Sequence, residues 1–104
     1  SAGLPRAFAL GQNHPNPFNP STTIEYYIPS LSSIPEGGEK IRLEVFDLRG
    51  GLVATLVDAV QGPGRYSVNW DGRDGRGRAV PSGVYFYRLR AGSFSRVRKM
   101  VMVK

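Results

Sequence analysis

The 104-residue sequence predicts an all-β chain folded as a sandwich of antiparallel sheets, and three observations carry that expectation. Thirteen glycines and eight prolines cut it into short runs rich in β-branched and aromatic residues. No run repeats apolar residues at the i, i+3, i+4, i+7 spacing of an amphipathic helix. Turn signals recur roughly every 8–12 residues, as they do in two-sheet sandwiches.

An extended lead-in at 7–10 is followed by strands expected at 22–28, 40–46, 52–57, 65–70, 84–90 and 94–103, which makes seven. Between the lead-in and the next strand lies His14-Pro15-Asn16-Pro17-Phe18-Asn19-Pro20-Ser21. Its prolines fix φ and push each preceding residue out of the helical region, so a stiff, non-helical lead is expected. Phe18 then serves as a plug, and Asn16 and Asn19 serve backbone groups the prolines leave unpaired. A polyproline ligand with Pro17 and Pro20 at PxxP spacing is the weaker alternative. Asn19-Pro20-Ser21 is no glycosylation acceptor, because proline holds its middle position.

In 40–45, Ile41, Leu43 and Val45 alternate with Lys40, Arg42 and Glu44, the pattern of a strand with one face on a core. The strands are punctuated by glycine- and aspartate-bearing turns at 47–51, 61–64, 71–77 and 91–93. The irregular insert at 30–38 reads as a mobile surface loop, and no internal repeat is evident. Seven short strands of this kind make an immunoglobulin-like antiparallel β-sandwich, here without a disulfide because there is no cysteine. Trp70, Tyr85, Tyr87 and Leu89 are expected in its inter-sheet core. The length suits one domain, residues 8–104, with 1–7 as a linker or cloning remnant. A start at Ser1 rather than methionine suggests a fragment of a larger protein.

Composition narrows function. Without cysteine there are no thiolate metal sites or cysteine nucleophiles, and His14 alone builds no histidine metal centre. No apolar run approaches the roughly 20 residues of a membrane-spanning helix, and no basic-then-apolar leader opens the sequence. The net charge of +6 is uneven: residues 1–72 carry five basic and seven acidic side chains, residues 73–104 nine basic and one acidic. Such a basic strand pair suits an anionic partner or simply blocks edge-to-edge aggregation.

The string Trp70-Asp71-Gly72-Arg73-Asp74-Gly75-Arg76-Gly77 lacks the alternating oxygens and late glutamate of a calcium loop, so its aspartates read as turn formers, with an incidental ion on Asp71, Asp74 and carbonyls as the weaker alternative. Eight acids lying mostly in turns or beside basic residues assemble neither a nucleophile–base pair nor a carboxylate pair, and no enzyme is expected. Tyr26, Tyr27, Phe46, Phe86 and Phe94 are candidates for a sugar- or base-stacking platform, although about half must be core.

Five co-linear strings carry a family resemblance. They are Gln12-Asn13-His14-Pro15-Asn16-Pro17-Phe18-Asn19-Pro20-Ser21-Thr22-Thr23-Ile24, Leu43-Glu44-Val45-Phe46-Asp47-Leu48-Arg49-Gly50, Val68-Asn69-Trp70-Asp71-Gly72-Arg73-Asp74, Ser82-Gly83-Val84-Tyr85-Phe86-Tyr87-Arg88-Leu89 and Lys99-Met100-Val101-Met102-Val103-Lys104. From about Phe8 to Lys104 the chain resembles the type A C-terminal sorting domain of the type IX secretion system. That domain is itself similar to the immunoglobulin-like domain of flagellar hook-capping proteins. His14 stands where tyrosine is common, Gly51 where a basic residue is common, and the 30–38 loop is longer than usual.

The resemblance implies a cargo tag. Such domains are recognised folded by a translocon, carried from the periplasm across the outer membrane, and usually removed by a sortase-like peptidase. It implies a secreted or cell-surface destination, no cofactor or metal, no nucleic acid, no membrane insertion, and a monomer. Recognition is expected on Arg96, Arg98, Lys99, Met100, Val101, Met102, Val103 and Lys104, whose strand would offer backbone bonds to an added receptor strand and arginines for register. Pro15, Asn16, Pro17, Phe18, Trp70, Asp71, Gly83 and Tyr85 are the expected structural motif. The rival classes are a passive carbohydrate-binding or structural module of a secreted enzyme, marked by a flat row of exposed aromatics, and a hook-cap structural domain.

Overall fold

The computed structural model describes residues 7–30 and 37–104. Most of the expected 30–38 loop therefore lies outside the described residues. Seven strands lie among the described residues: β1 (Ala9–Leu10), β2 (Thr22–Ile28), β3 (Glu39–Phe46), β4 (Leu52–Gln61), β5 (Gly64–Trp70), β6 (Gly83–Ala91) and β7 (Phe94–Met102). They form two antiparallel sheets, ordered β1-β2-β5 and β4-β3-β6-β7. The β4 strand thus joins β3, whereas the constant-type immunoglobulin arrangement gives four strands to the other sheet.

The period-2 pattern of the strands builds the core. Ile41, Leu43 and Val45 of β3 are fully buried, beside Tyr87 and Leu89 of β6 and Met100 of β7. From the facing sheet come Ile24, Tyr26 and Ile28 of β2 and Trp70 of β5. Each such side chain contributes about 1.5–3 kcal/mol relative to exposure, and alternation places all of them between the sheets. The four core residues expected from sequence are all buried. The hairpin of 84–90 with 94–103 also forms, with Ala91 opposite Phe94.

Several boundaries differ from expectation by a residue or more, and two of the differences have a visible cause. β4 continues through Asp58–Gln61, mostly exposed residues with no apolar alternation, because its backbone ladder with Glu39–Arg42 runs on. Lys40 Nζ meets Asp58 Oδ1 there at 2.9 Å. Two register shifts against β3 leave Val53 and Leu56 as extra residues and twist this strand. β7 stops at Met102, and the Val103 amide turns instead to the Phe18 carbonyl (2.9 Å).

A loop design is used twice. In residues 47–51, Asp47 Oδ1 accepts the amides of Arg49 and Gly51 (2.9 Å each), and Gly50 sits at φ +87°. In residues 74–78, Asp74 Oδ1 accepts the amides of Arg76 (2.9 Å) and Arg78 (3.0 Å), and Gly77 sits at φ +81°. Both aspartates spend their carboxylates on their own backbone, as turn formers do. The shared string Asp-x-Arg-Gly is the small internal repeat that inspection of the sequence misses.

Candidate functional site

Strand alternation divides the basic end of the chain between two environments. Met100 and Met102 are core, whereas Lys99, Val103 and Lys104 are exposed and Val101 is half-buried. Arg96 and Arg98 share the inward parity of the methionines, at the margin where the sandwich opens. There the Arg98 Nε donates to the Leu10 carbonyl of β1 at 2.6 Å, and the Arg96 guanidinium lies over the Phe94 ring, 5.9 Å from its centre. Arg98 therefore joins one sheet to the other instead of facing water.

The proline-rich segment and the last strand, separate motifs in the sequence, meet in space. Phe18 donates its amide to the Val101 carbonyl (3.0 Å) and accepts from the Val103 amide (2.9 Å), a parallel bridge along the edge of β7. The Asn16 Oδ1 accepts the Val101 amide at 2.9 Å, and the Gln12 Nε2 donates to the Lys99 carbonyl at 2.9 Å. Ser82 Oγ accepts from the Lys104 amide at 3.1 Å. Asn16 thus bonds a backbone group, but one of β7 and not of the proline-rich segment. The edge of residues 99–103 is occupied by the protein's own segment, so a receptor strand added there would first have to displace it.

Beneath this latch lies an aromatic cluster. The Phe18 ring is 5.7 Å from Trp70, and Trp70 is 5.4 Å from Tyr85 in an edge-on contact. The Trp70 Nε1 donates to the Arg73 carbonyl (2.9 Å), and the Tyr85 hydroxyl to the Pro81 carbonyl (2.7 Å). The latter is a tyrosine corner at the start of β6, a feature of immunoglobulin-like sandwiches. Gly72 is tight against this cluster: a Cβ there would stand 2.9 Å from the Met102 sulfur and 3.0 Å from the Pro20 carbonyl, at φ +75°. Gly83 pairs with Met102, which brings the expected structural residues Pro15, Pro17, Phe18, Trp70, Gly83 and Tyr85 to one end of the sandwich. Asp71 stands apart from the loop bonding, exposed and 3.7 Å from the Arg73 Nε.

Sequence inspection overlooked the buried polar residues that hold the latch. Asn13 is buried, its amide donating to the Tyr87 hydroxyl (2.8 Å), its Nδ2 to Thr22 Oγ1 (3.0 Å) and Pro15 O (3.2 Å). The Tyr87 hydroxyl in turn donates to the Gly11 carbonyl (2.6 Å). Burial pushes the Tyr87 phenol above the usual tyrosine range, opposed by the Asn13 amide and the Arg98 charge. The signal was available in principle, because a core tyrosine needs a partner for its hydroxyl. Glu44 was expected to face solvent but is 4% exposed, enclosed by arginines on the outer face of the four-stranded sheet.

Of the stacking candidates, Tyr26 is core, and Phe94 stacks on Phe8 at 5.1 Å. The Arg88 guanidinium covers the Phe46 ring at 4.8 Å, and that of Arg65 lies 5.4 Å from the Tyr27 ring centre. The flat row of bare aromatics that a glycan platform uses is not formed among the described residues. Those residues also contain no group of three or more His, Cys, Asp or Glu able to hold a metal ion.

Among solved structures the chain is similar to dimeric latent PorU from Porphyromonas gingivalis, with TM-score 0.68 and 22% identity over 93% of this chain and 9% of that one. It is also similar to PorZ, described as an essential bacterial surface component of the type-IX secretion system of the same organism. That likeness has TM-score 0.59 and 20% identity over 89% of this chain and 11% of PorZ. The chain thus spans about a tenth of either protein, and at these identities the likeness is one of fold. No curated protein sequence matches. Residues 29–93, more than half of the chain, match the family model described as FlgD Ig-like domain, and the chain belongs to that family.

Proposed function

We propose that the domain is a non-catalytic sorting signal that directs a parent protein through the type IX secretion system to the cell surface or outside. The observation that carries this reading is the likeness of fold, over 89% of the chain, to PorZ, a surface component of that system. The joining of the 99–104 string to the proline-rich segment gives it a physical form: the two motifs make one latched surface. The side chains that this surface offers to a translocon and to a sortase-like peptidase are Lys99, Val103 and Lys104, while Arg96 is exposed near the start of β7 on the strand's other face. Recognition proceeds through those side chains, because the adjoining backbone edge is already bonded.

Acids engaged in loops and ion pairs, rather than gathered in a cleft, support the non-catalytic reading. The domain acts as a monomer without cofactor. The hook-cap alternative shares the family, and export separates the two. Residues 1–104 fused to a periplasmic reporter in a type IX-competent cell should place the reporter outside. Retention of a folded fusion in the periplasm would overturn the proposal.

A further inference from the structure

The outer face of the β4-β3-β6-β7 sheet is unusual for a surface turned away from the core. Such a face is ordinarily polar. Here Phe46 and Phe86 are register partners, Leu52 lies opposite Phe46, and Val97 lies opposite Arg88. Leu48, Leu52 and Val97 are 72%, 57% and 53% exposed. Phe46, Leu48, Phe86 and Val97 line a shallow groove of about 370 Å³.

Beside the groove, three arginines converge on one carboxylate. Arg88 Nη2 is 3.2 Å and Arg90 Nη2 3.6 Å from Glu44 Oε1, and Arg42 Nη2 is 4.0 Å from Glu44 Oε2. Arg42 Nε also lies 4.0 Å from Asp58, which pairs with Lys40, so these four cations and two carboxylates keep two positive charges in excess. The Nε atoms of all three arginines are buried without a hydrogen-bond partner, while their side chains remain 33–42% exposed. Glu44 thereby holds the guanidinium groups in place before any partner arrives, which lowers the ordering cost of meeting external carboxylates.

We infer that this face is a docking surface for an acidic protein segment that inserts an apolar side chain between Phe46, Phe86 and Val97 while its carboxylates meet Arg42, Arg88 and Arg90. Arginine beside aromatic residues is the composition of a protein interface. A second copy of the same face is disfavoured, because it would set excess positive charge against excess positive charge. A nucleic acid would leave the apolar groove unfilled. The inference does not depend on the export reading.

The test is a titration of the ¹⁵N-labelled 104-residue domain with an end-blocked Asp-Leu-Glu-Phe-Glu-Leu-Asp peptide. A Lys-Leu-Lys-Phe-Lys-Leu-Lys peptide and a ten-base oligothymidine serve as comparisons. The acidic peptide should shift the amides of Phe46, Phe86, Arg88 and Val97 and lose affinity with added salt. Arg90→Gln at a half-buried position and Val97→Ser at an exposed one, each checked for a folded spectrum, should weaken binding about threefold, as loss of one surface contact does. The inference is overturned if the acidic peptide moves no amide on this face at millimolar concentration, or if both folded variants bind as the parent does. Equal shifts with either comparison probe, or concentration-dependent self-association through the same amides, would overturn it as well.

Discussion

Replacing Phe18 by alanine tests whether the proline-rich segment is a structural latch on the last strand. The ring is 2% exposed and packs 5.7 Å from Trp70. Truncating a buried phenylalanine to alanine costs about 3–5 kcal/mol. A domain of this size has only ~5–15 kcal/mol of stability, and each kcal/mol moves the melting temperature by roughly 4–8 °C. Phe18→Ala should therefore lower it by roughly 12–40 °C. The effect should also be local, because Phe18 backbone groups bond Val101 and Val103. Amide exchange at Val101 and Val103 should accelerate more than at Met100, which lies in the core opposite Tyr85. Asn16→Ala removes only the acceptor of the Val101 amide. It should cost about 0.5–1.5 kcal/mol and accelerate exchange at Val101 while sparing Val103. Calorimetry with hydrogen-exchange NMR measures both. A Phe18→Ala variant melting within a few degrees of the parent, with Val101 and Val103 protected as before, would refute the latch.

Three further outcomes follow from other parts of the fold. Trp70→Ala should cost about 3–5 kcal/mol by thermal denaturation, and unchanged stability would contradict the buried aromatic cluster. Burial raises the phenols of Tyr26, Tyr85 and Tyr87, so their stabilising contribution is complete below about pH 10 and is lost as pH rises through the folded values. Phenolate absorbance at 295 nm from these three should thus appear together with loss of β-sheet circular dichroism, and ordinary titration with the sheet intact would be contrary. Asp74 is held below the usual carboxylate range chiefly by the Arg78 amide, so its contribution is present at neutral pH and is lost as pH falls through the folded value. Asp74→Ala should lower the neutral-pH melting temperature while Asp71→Ala, which anchors no loop amide, leaves it unchanged.

How far the sequence reached depended on the range of the interaction. Ile41, Leu43 and Val45 announce their buried face by alternation alone, and Trp70, Tyr85, Tyr87 and Leu89 are identifiable as core by size and position. The continuation of β4 through Asp58–Gln61 was invisible, since a backbone ladder outside the core leaves no apolar pattern. Glu44 shows the opposite failure. Its alternation correctly assigns it to the outer face, but only the register of β3 against β6 brings Arg88 and Arg90 over it and buries it. Likewise, the proline-rich segment and the last strand each stand out as strings. Their contact spans more than 80 residues of sequence and rests on Asn16, Phe18 and Gln12 bonding backbone groups, which no local spacing encodes.

The most direct test of the sorting-signal account is a secretion assay in a type IX-competent cell with three reporter fusions. One carries residues 1–104, one lacks residues 99–104, and one is a folded variant with Arg96, Lys99 and Lys104 reversed in charge. Arg98 is left in place because it bonds the Leu10 carbonyl. The account predicts that the parent fusion reaches the medium or cell surface, that the deletion stays in the periplasm, and that the charge-reversed domain is exported poorly although folded. A folded parent fusion retained in the periplasm, or export unaffected by either change, would contradict it.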